Sequence, residues 1–172
     1  MAFRGKPAYR VAFSGLLLAL CVALSFAEGM LPALPMLPPG VKPGLSNIVT
    51  MYAVFFLGAR QALCITALKS LFVLLTRGAT AAFLSLIGGL LSVCVMVILR
   101  KIPGLSALFV SIGGAVTHNL GQLAGASLLL GDPKTLYYAP VLILAGVAAG
   151  VLTGILLRFV MPALQRLDGT FR

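Results

Sequence analysis

From residue 11 to residue 161 the chain is a succession of apolar runs, each broken off by proline, glycine or a basic residue. No other feature constrains the fold as strongly. An apolar run of roughly 20 residues is long enough to cross a bilayer, and in lipid a helix satisfies its own backbone hydrogen bonds. The runs fall at residues 11–28, 45–59, 61–76, 80–99, 105–130 and 136–161, the second and third being near the lower length limit. Composition agrees, since 60% of the 172 residues are apolar and only 9% are charged, which no ordinary soluble domain shows. The sequence therefore predicts one domain over residues 1–172, an all-α integral membrane protein built as a compact bundle of six transmembrane helices. That arrangement leaves no room in these residues for a separate soluble catalytic domain.

The formal charge of +10 reads as a topology signal. With the N-terminus in the cytoplasm, the inner side carries Arg4, Lys6, Arg10, Arg60, Arg100, Lys101, Arg158, Arg166 and Arg172, and the outer side Lys42, Arg77 and Lys134. The positive-inside rule then predicts both termini inside and a multi-pass protein of the cell membrane. Basic residues scattered at the edges of apolar runs do not form a nucleic-acid surface. The first run also resembles a cleavable signal peptide ending near Ser25, Phe26, Ala27 and Glu28, but the five spans that follow favour a retained helix. Cys21, Cys64 and Cys94 stand singly in apolar surroundings, so neither a disulfide framework nor a metal site is expected.

Small residues recur at every fourth position in three runs: Gly15, Ala19, Ala23 and Ala27; Thr117, Gly121 and Gly125; Gly146, Gly150 and Gly154. Such a stripe occupies one helix face and lets another backbone approach. Close packing is expected on all three helices. Internal packing accounts for each stripe; for the first, docking of a separate membrane subunit is the alternative.

Function is sought among polar residues that a bilayer excludes. Lys69 lies near the middle of the third run, with Thr66 and Thr76 near the same face, and a central charge is costly unless it meets a partner or a cavity. Snorkelling, or a structural pair with Glu28, is the plainer reading. In the fifth run His118 and Gln122 share a face and Asn119 lies beside them, while Gly114, Gly121 and Gly125 leave room nearby. The proline-rich stretch from Met30 to Gly44 is expected to be stiff and extended, and brings Lys42 ahead of Ser46 and Asn47. Ser46 is also a candidate helix cap. Tyr137 and Tyr138 are interface anchors or a pocket wall. These residues predict an outward-facing pocket made by Lys42, Asn47, Lys69, His118, Asn119, Gln122 and Tyr137, for a small ligand with an anionic or strongly hydrogen-bonding head. Glu28 is the one acid placed to join it, because Asp132 belongs to a turn and Asp168 to the tail.

The stretches Pro38-Pro39-Gly40-Val41-Lys42-Pro43-Gly44-Leu45-Ser46-Asn47, Ala67-Leu68-Lys69-Ser70 and Gly113-Gly114-Ala115-Val116-Thr117-His118-Asn119-Leu120-Gly121-Gln122, with Tyr137-Tyr138, resemble the Gx transporter family. Its members carry the label heptaprenyl diphosphate synthase component I, and the likeness covers nearly the whole chain. That family resembles in turn the substrate-binding S components of energy-coupling factor transporters, six-helix bundles whose small-residue first helix docks a transmembrane coupling subunit. The resemblance implies that Gly15, Ala19 and Ala23 form a docking stripe, that the segment from Met30 to Gly44 gates the pocket, and that two cytoplasmic ATPases drive uptake.

The enzyme label conflicts with the residues. Prenyl elongation needs clustered aspartates to hold magnesium on the diphosphate, and this chain has Asp132 and Asp168 far apart. No catalytic residue and no cofactor are predicted. The chain also has no GxxxxGK[ST] motif with which to hydrolyse nucleotide. Three roles stay open: the S-component reading; a non-catalytic membrane partner of prenyl diphosphate or quinone metabolism, or of extracytoplasmic flavin or quinone electron transfer; and a stand-alone secondary transporter.

Overall fold

The structure, a computed structural model, describes residues 7–30 and 46–168. The described residues fold as six α-helices: α1 (Pro7–Met30), α2 (Ser46–Tyr52), α3 (Ala59–Arg77), α4 (Ala79–Arg100), α5 (Ala107–Leu130) and α6 (Ala139–Asp168). A π-helical turn, Ala53–Leu57, prolongs α2, and a 3-10 turn, Pro133–Tyr138, precedes α6. Helices α1, α3, α4 and the stretch from Pro133 through most of α6 are long and apolar enough to cross a membrane. Helix α5 has 24 residues, enough to span at about 1.5 Å per residue, but His118, Asn119 and Gln122 dilute its apolar character. The stretch predicted as a gate lies almost wholly at residues 31–45, and Lys42 with it, outside the described residues.

Within the described residues, Ser46 to Leu57 amounts to about 18 Å of helix, against a hydrocarbon core of about 30 Å. It ends at Gly58, whose φ of 98° and ψ of 172° suit a residue without a side chain, and α3 starts immediately. Gly78 (φ 88°) makes the same kind of corner between α3 and α4. A π turn offsets its carbonyls from the regular ladder. Here Arg100, in the last turn of α4, donates from Nη1 to the Val54 carbonyl and lies over the Phe55 ring, 5.6 Å from its centroid.

The two ends of the bundle differ. The end holding Gly58 and the α4–α5 connection, called proximal here, is filled by Phe13, Leu17, Tyr52, Val54, Met96 and Val110, all buried. Tyr52 stacks on Phe56 with ring centroids 4.8 Å apart. At the opposite, distal end stand Gly78 and the α5–α6 connection.

Helices α3 to α6 pack in sequence order, and their closest contacts are made by glycine. A Cβ on Gly150 would lie 2.5 Å from the Ile112 Cα, and one on Gly146 2.8 Å from the Val116 Cα, so α6 rests directly on the α5 backbone. A Cβ on Gly121 would sit 2.9 Å from the Gly88 Cα, which brings α5 equally close to α4. In lipid, where apolar burial gives helices little reason to associate, such close approach supplies the packing. Ser111 adds an interhelical bond, donating to the Gly150 carbonyl at 2.7 Å.

Helix α1 departs from the expectation of internal packing. Its buried line is Phe13, Leu17, Cys21, Ser25 and Glu28, facing α2 and α3. Gly15, Ala19, Ala23 and Ala27 are exposed on another face, and a Cβ on Gly15 would meet nothing within 4 Å. The bundle does not use that stripe.

Candidate functional site

Three helices set the depth of the distal cavity. Ser46 stands about 18 Å from the Gly58 corner on α2, and Lys69 about 16 Å from the same corner on α3. The two positions are therefore level. Asn47 follows Ser46, and its Oδ1 accepts from the Lys69 ammonium at 3.5 Å. On α3 the residues facing the space are Lys69, Val73 and Arg77, four apart, so they share one face. Helix α5 supplies His118, Asn119, Gln122 and Leu123 by the same periodicity. These elements, with α1, α4 and α6, enclose a cavity of about 580 Å³, within the ~300–1,000 Å³ usual for small-molecule sites.

Lys69 is only 8% exposed, yet that one long contact is its hydrogen bonding among the described residues. An ammonium has three N–H donors, and 3.5 Å lies beyond the ordinary N–H···O range of about 2.7–3.2 Å. A charge at this depth is retained where it faces a partner or a cavity. Here it faces the cavity.

On the facing wall Asn119 Nδ2 donates to the Leu142 carbonyl at 3.0 Å, which ties α5 to α6 and fixes that side chain. His118 keeps its Nδ1 in a dry position, without a hydrogen-bond partner among the described residues, against the backbone of Gly88. The rest of the ring and the Gln122 side chain line the cavity. The structure thus brings Asn47, Lys69, His118, Asn119 and Gln122 around one space.

Several expected features differ. Tyr138 lines the cavity, while Tyr137 points away and is 84% exposed. The 3-10 geometry of Pro133–Tyr138 turns successive side chains about 120° apart, so only one tyrosine of the pair can face inward. Thr66 and Thr76 stay outside the site, each hydroxyl donating to the carbonyl four residues back on its own helix. The hydroxyl of Ser46 donates to Glu28 Oε2 at 3.1 Å and links α2 to α1. Glu28 accordingly belongs to the cavity wall, and the hydrogen-bond partner of Lys69 is Asn47.

Residues not singled out for the site also line it: Ser25, Arg77, Ser85 and Thr135. Arg77 folds back along α3, its Nη2 donating to the Ser25 carbonyl at 2.8 Å while the guanidinium packs on Gly29. Sequence position had made Arg77 an orienting charge. For Ser25 and Glu28 a signal was available, because they continue in polar form the apolar line Phe13, Leu17 and Cys21. Among the described residues no group of three or more His, Cys, Asp or Glu side chains could hold a metal.

Two comparisons bear on this arrangement. Residues 17–160 match the family of heptaprenyl diphosphate synthase component I. A solved structure described as the S component of a bacterial ECF transporter superposes with a TM-score of 0.61, covering 96% of this chain and 98% of that one at 19% identity. No curated protein sequence matches. The chain belongs to the heptaprenyl diphosphate synthase component I family, and its fold is the one seen in that S component.

Proposed function

We propose that this member of the heptaprenyl diphosphate synthase component I family is the ligand-capturing membrane subunit of a small-molecule uptake system, and not an enzyme. The observation that carries the reading is Lys69: an ammonium with one long acceptor among the described residues, at the deep end of a cavity of about 580 Å³. A structural charge is ordinarily met by closer acceptors. A binding residue leaves room for its ligand.

On this reading the N- and C-termini are cytoplasmic, the protein resides in the cell membrane, and the distal cavity faces outward. Lys69, Asn47, His118, Asn119 and Gln122 hold a ligand with an anionic or strongly hydrogen-bonding head, and Tyr138 replaces Tyr137 in the wall. The exposed face of α1 with Gly15, Ala19 and Ala23 docks a transmembrane coupling subunit that works with two cytoplasmic ATPases. Asp132 is occupied as a turn residue, its Oδ1 accepting from the Lys134 backbone N–H at 2.9 Å. With Asp168 in the tail, no aspartate cluster is available to carry magnesium diphosphate chemistry.

The test is purification from native membranes without harsh detergent. The protein is expected to retain a coupling subunit, two ATPases and a small molecule detectable by mass spectrometry. Robust ion-driven uptake by the isolated chain in vesicles lacking ATP would overturn the reading and favour a stand-alone secondary transporter.

A further inference from the structure

Within the cavity, the order of residues along three helices carries more than a list of lining groups. On α3 the deepest is Lys69, and one turn toward the distal end comes Val73, buried and apolar. Helix α4 runs the other way, with Ser85 deep and Leu84 and then Ala81 distal to it. On α5 His118 and Asn119 are deep, Gln122 and Leu123 one turn distal, and Ala126 a turn beyond. The α4 and α5 faces turn apolar toward the distal end at Leu84, Ala81, Leu123 and Ala126, and on α3 Val73 separates Lys69 from Arg77, whose guanidinium is turned to the Ser25 carbonyl. The α1 side carries Ser25, whose backbone carbonyl accepts from Arg77, and Glu28, which accepts from Ser46, and Thr135 and Tyr138 line the cavity at the α5–α6 connection.

This order is the reverse of a water-filled inlet for an ion. An inorganic anion at Lys69 would leave Val73, Leu84, Leu123 and Ala126 against empty space or unbound water. An uncharged hydrocarbon would cover those residues but offer the Lys69 ammonium no acceptor, a poor match for a charge at this depth. A cation would meet Lys69 directly. Facing the cavity are the Lys69 ammonium, which among the described residues has only the long contact to Asn47, the accessible part of the His118 ring and, one turn distal, the Gln122 carboxamide, a set with donors to offer anionic oxygens.

Resting on the reading of this cavity as the ligand site, we infer that its ligand is an amphiphilic organic anion, bound with a carboxylate or phosphate head at Lys69 and an apolar body directed toward the distal end. The body lies between Val73, Leu84 and Leu123 and extends at most about two helical turns, or roughly 12 Å, which is the rise from Lys69 to Arg77. Small side chains at Ala81 and Ala126 give it breadth.

The inference is tested with divided probes on the full chain in lipid nanodiscs: naphthoate and naphthyl phosphate as head plus body, acetate and inorganic phosphate as head alone, and naphthylmethanol as body alone. At least one two-part anion is expected to bind about tenfold or more tighter than its isolated head and than naphthylmethanol. Lys69→Met should remove the advantage of the anion over naphthylmethanol, and Leu123→Ser should weaken the two-part anion severalfold while leaving acetate and phosphate unchanged. Partition of probes into the lipid is accounted for by Lys69→Met, which partitions alike. Equal binding of isolated head and two-part anion overturns the apolar body; equal binding of naphthylmethanol overturns the anionic head; binding of none overturns the inference outright. In all three failures the transport reading stands or falls separately, on co-purification with the coupling subunit and ATPases.

Discussion

Helices α1 and α6 carry the same device and use it differently. Gly15, Ala19 and Ala23 repeat at the spacing of Gly146, Gly150 and Gly154, yet the first set is exposed and the second is pressed into the α5 backbone. Helical spacing states which residues share a face. It does not state what that face meets. In a soluble protein the difference would show in hydropathy, because an exposed stripe would be polar. In lipid both stripes lie in apolar surroundings and read alike.

The comparison is broken most directly by filling the buried stripe. Gly150→Leu places a side chain where Ile112 already stands, and a loss of about 3 kcal/mol is expected, the upper part of the range for overpacking. Thermal unfolding in nanodiscs would show it; a melting temperature unchanged from the parent would refute the α5–α6 contact. Next in size is Arg100→Met, which leaves the Val54 carbonyl of the π turn without its donor and should cost about 1.5–3 kcal/mol, as for hydrogen bonds to charged groups.

The exposed stripe should answer differently. Ala19→Leu meets open surroundings, so its effect on stability should stay within about 0.5 kcal/mol, while recovery of the coupling subunit on purification collapses. Loss of stability comparable to Gly150→Leu would show that the α1 face is packed after all. Lys69→Met separates the two faces of the bundle's function: retained ligand should fall about tenfold with the partners still bound. The smallest contrast is between neighbours. Tyr137→Ala should leave ligand retention unchanged and Tyr138→Ala should reduce it about threefold, which mass spectrometry of the bound molecule would measure.

Much of the candidate site could be read in advance because membrane sequences make polar residues conspicuous. Lys69 and the group His118, Asn119 and Gln122 stand out against their runs, and helical geometry puts them at similar depth. Arg77 and Ser25 were harder. The first sits at a helix end, where a cation is ordinary, and only the fold bends it back onto the Ser25 carbonyl. The Thr66 and Thr76 hydroxyls misled in the opposite way, since threonine in a helix can satisfy itself on the carbonyl four residues behind.

Sequence alone determined the membrane class, the apolar runs and the level at which the polar groups lie, because hydropathy and a rise of about 1.5 Å per residue are local properties. Tertiary structure decided which small-residue stripe is inside, which tyrosine faces the cavity and which helices bring their polar residues to one space beside Lys69. Those outcomes depend on the rotation of each helix about its axis and on its neighbours. In a bilayer, where an apolar surface is equally at home against lipid or protein, only packing distinguishes one rotation from another.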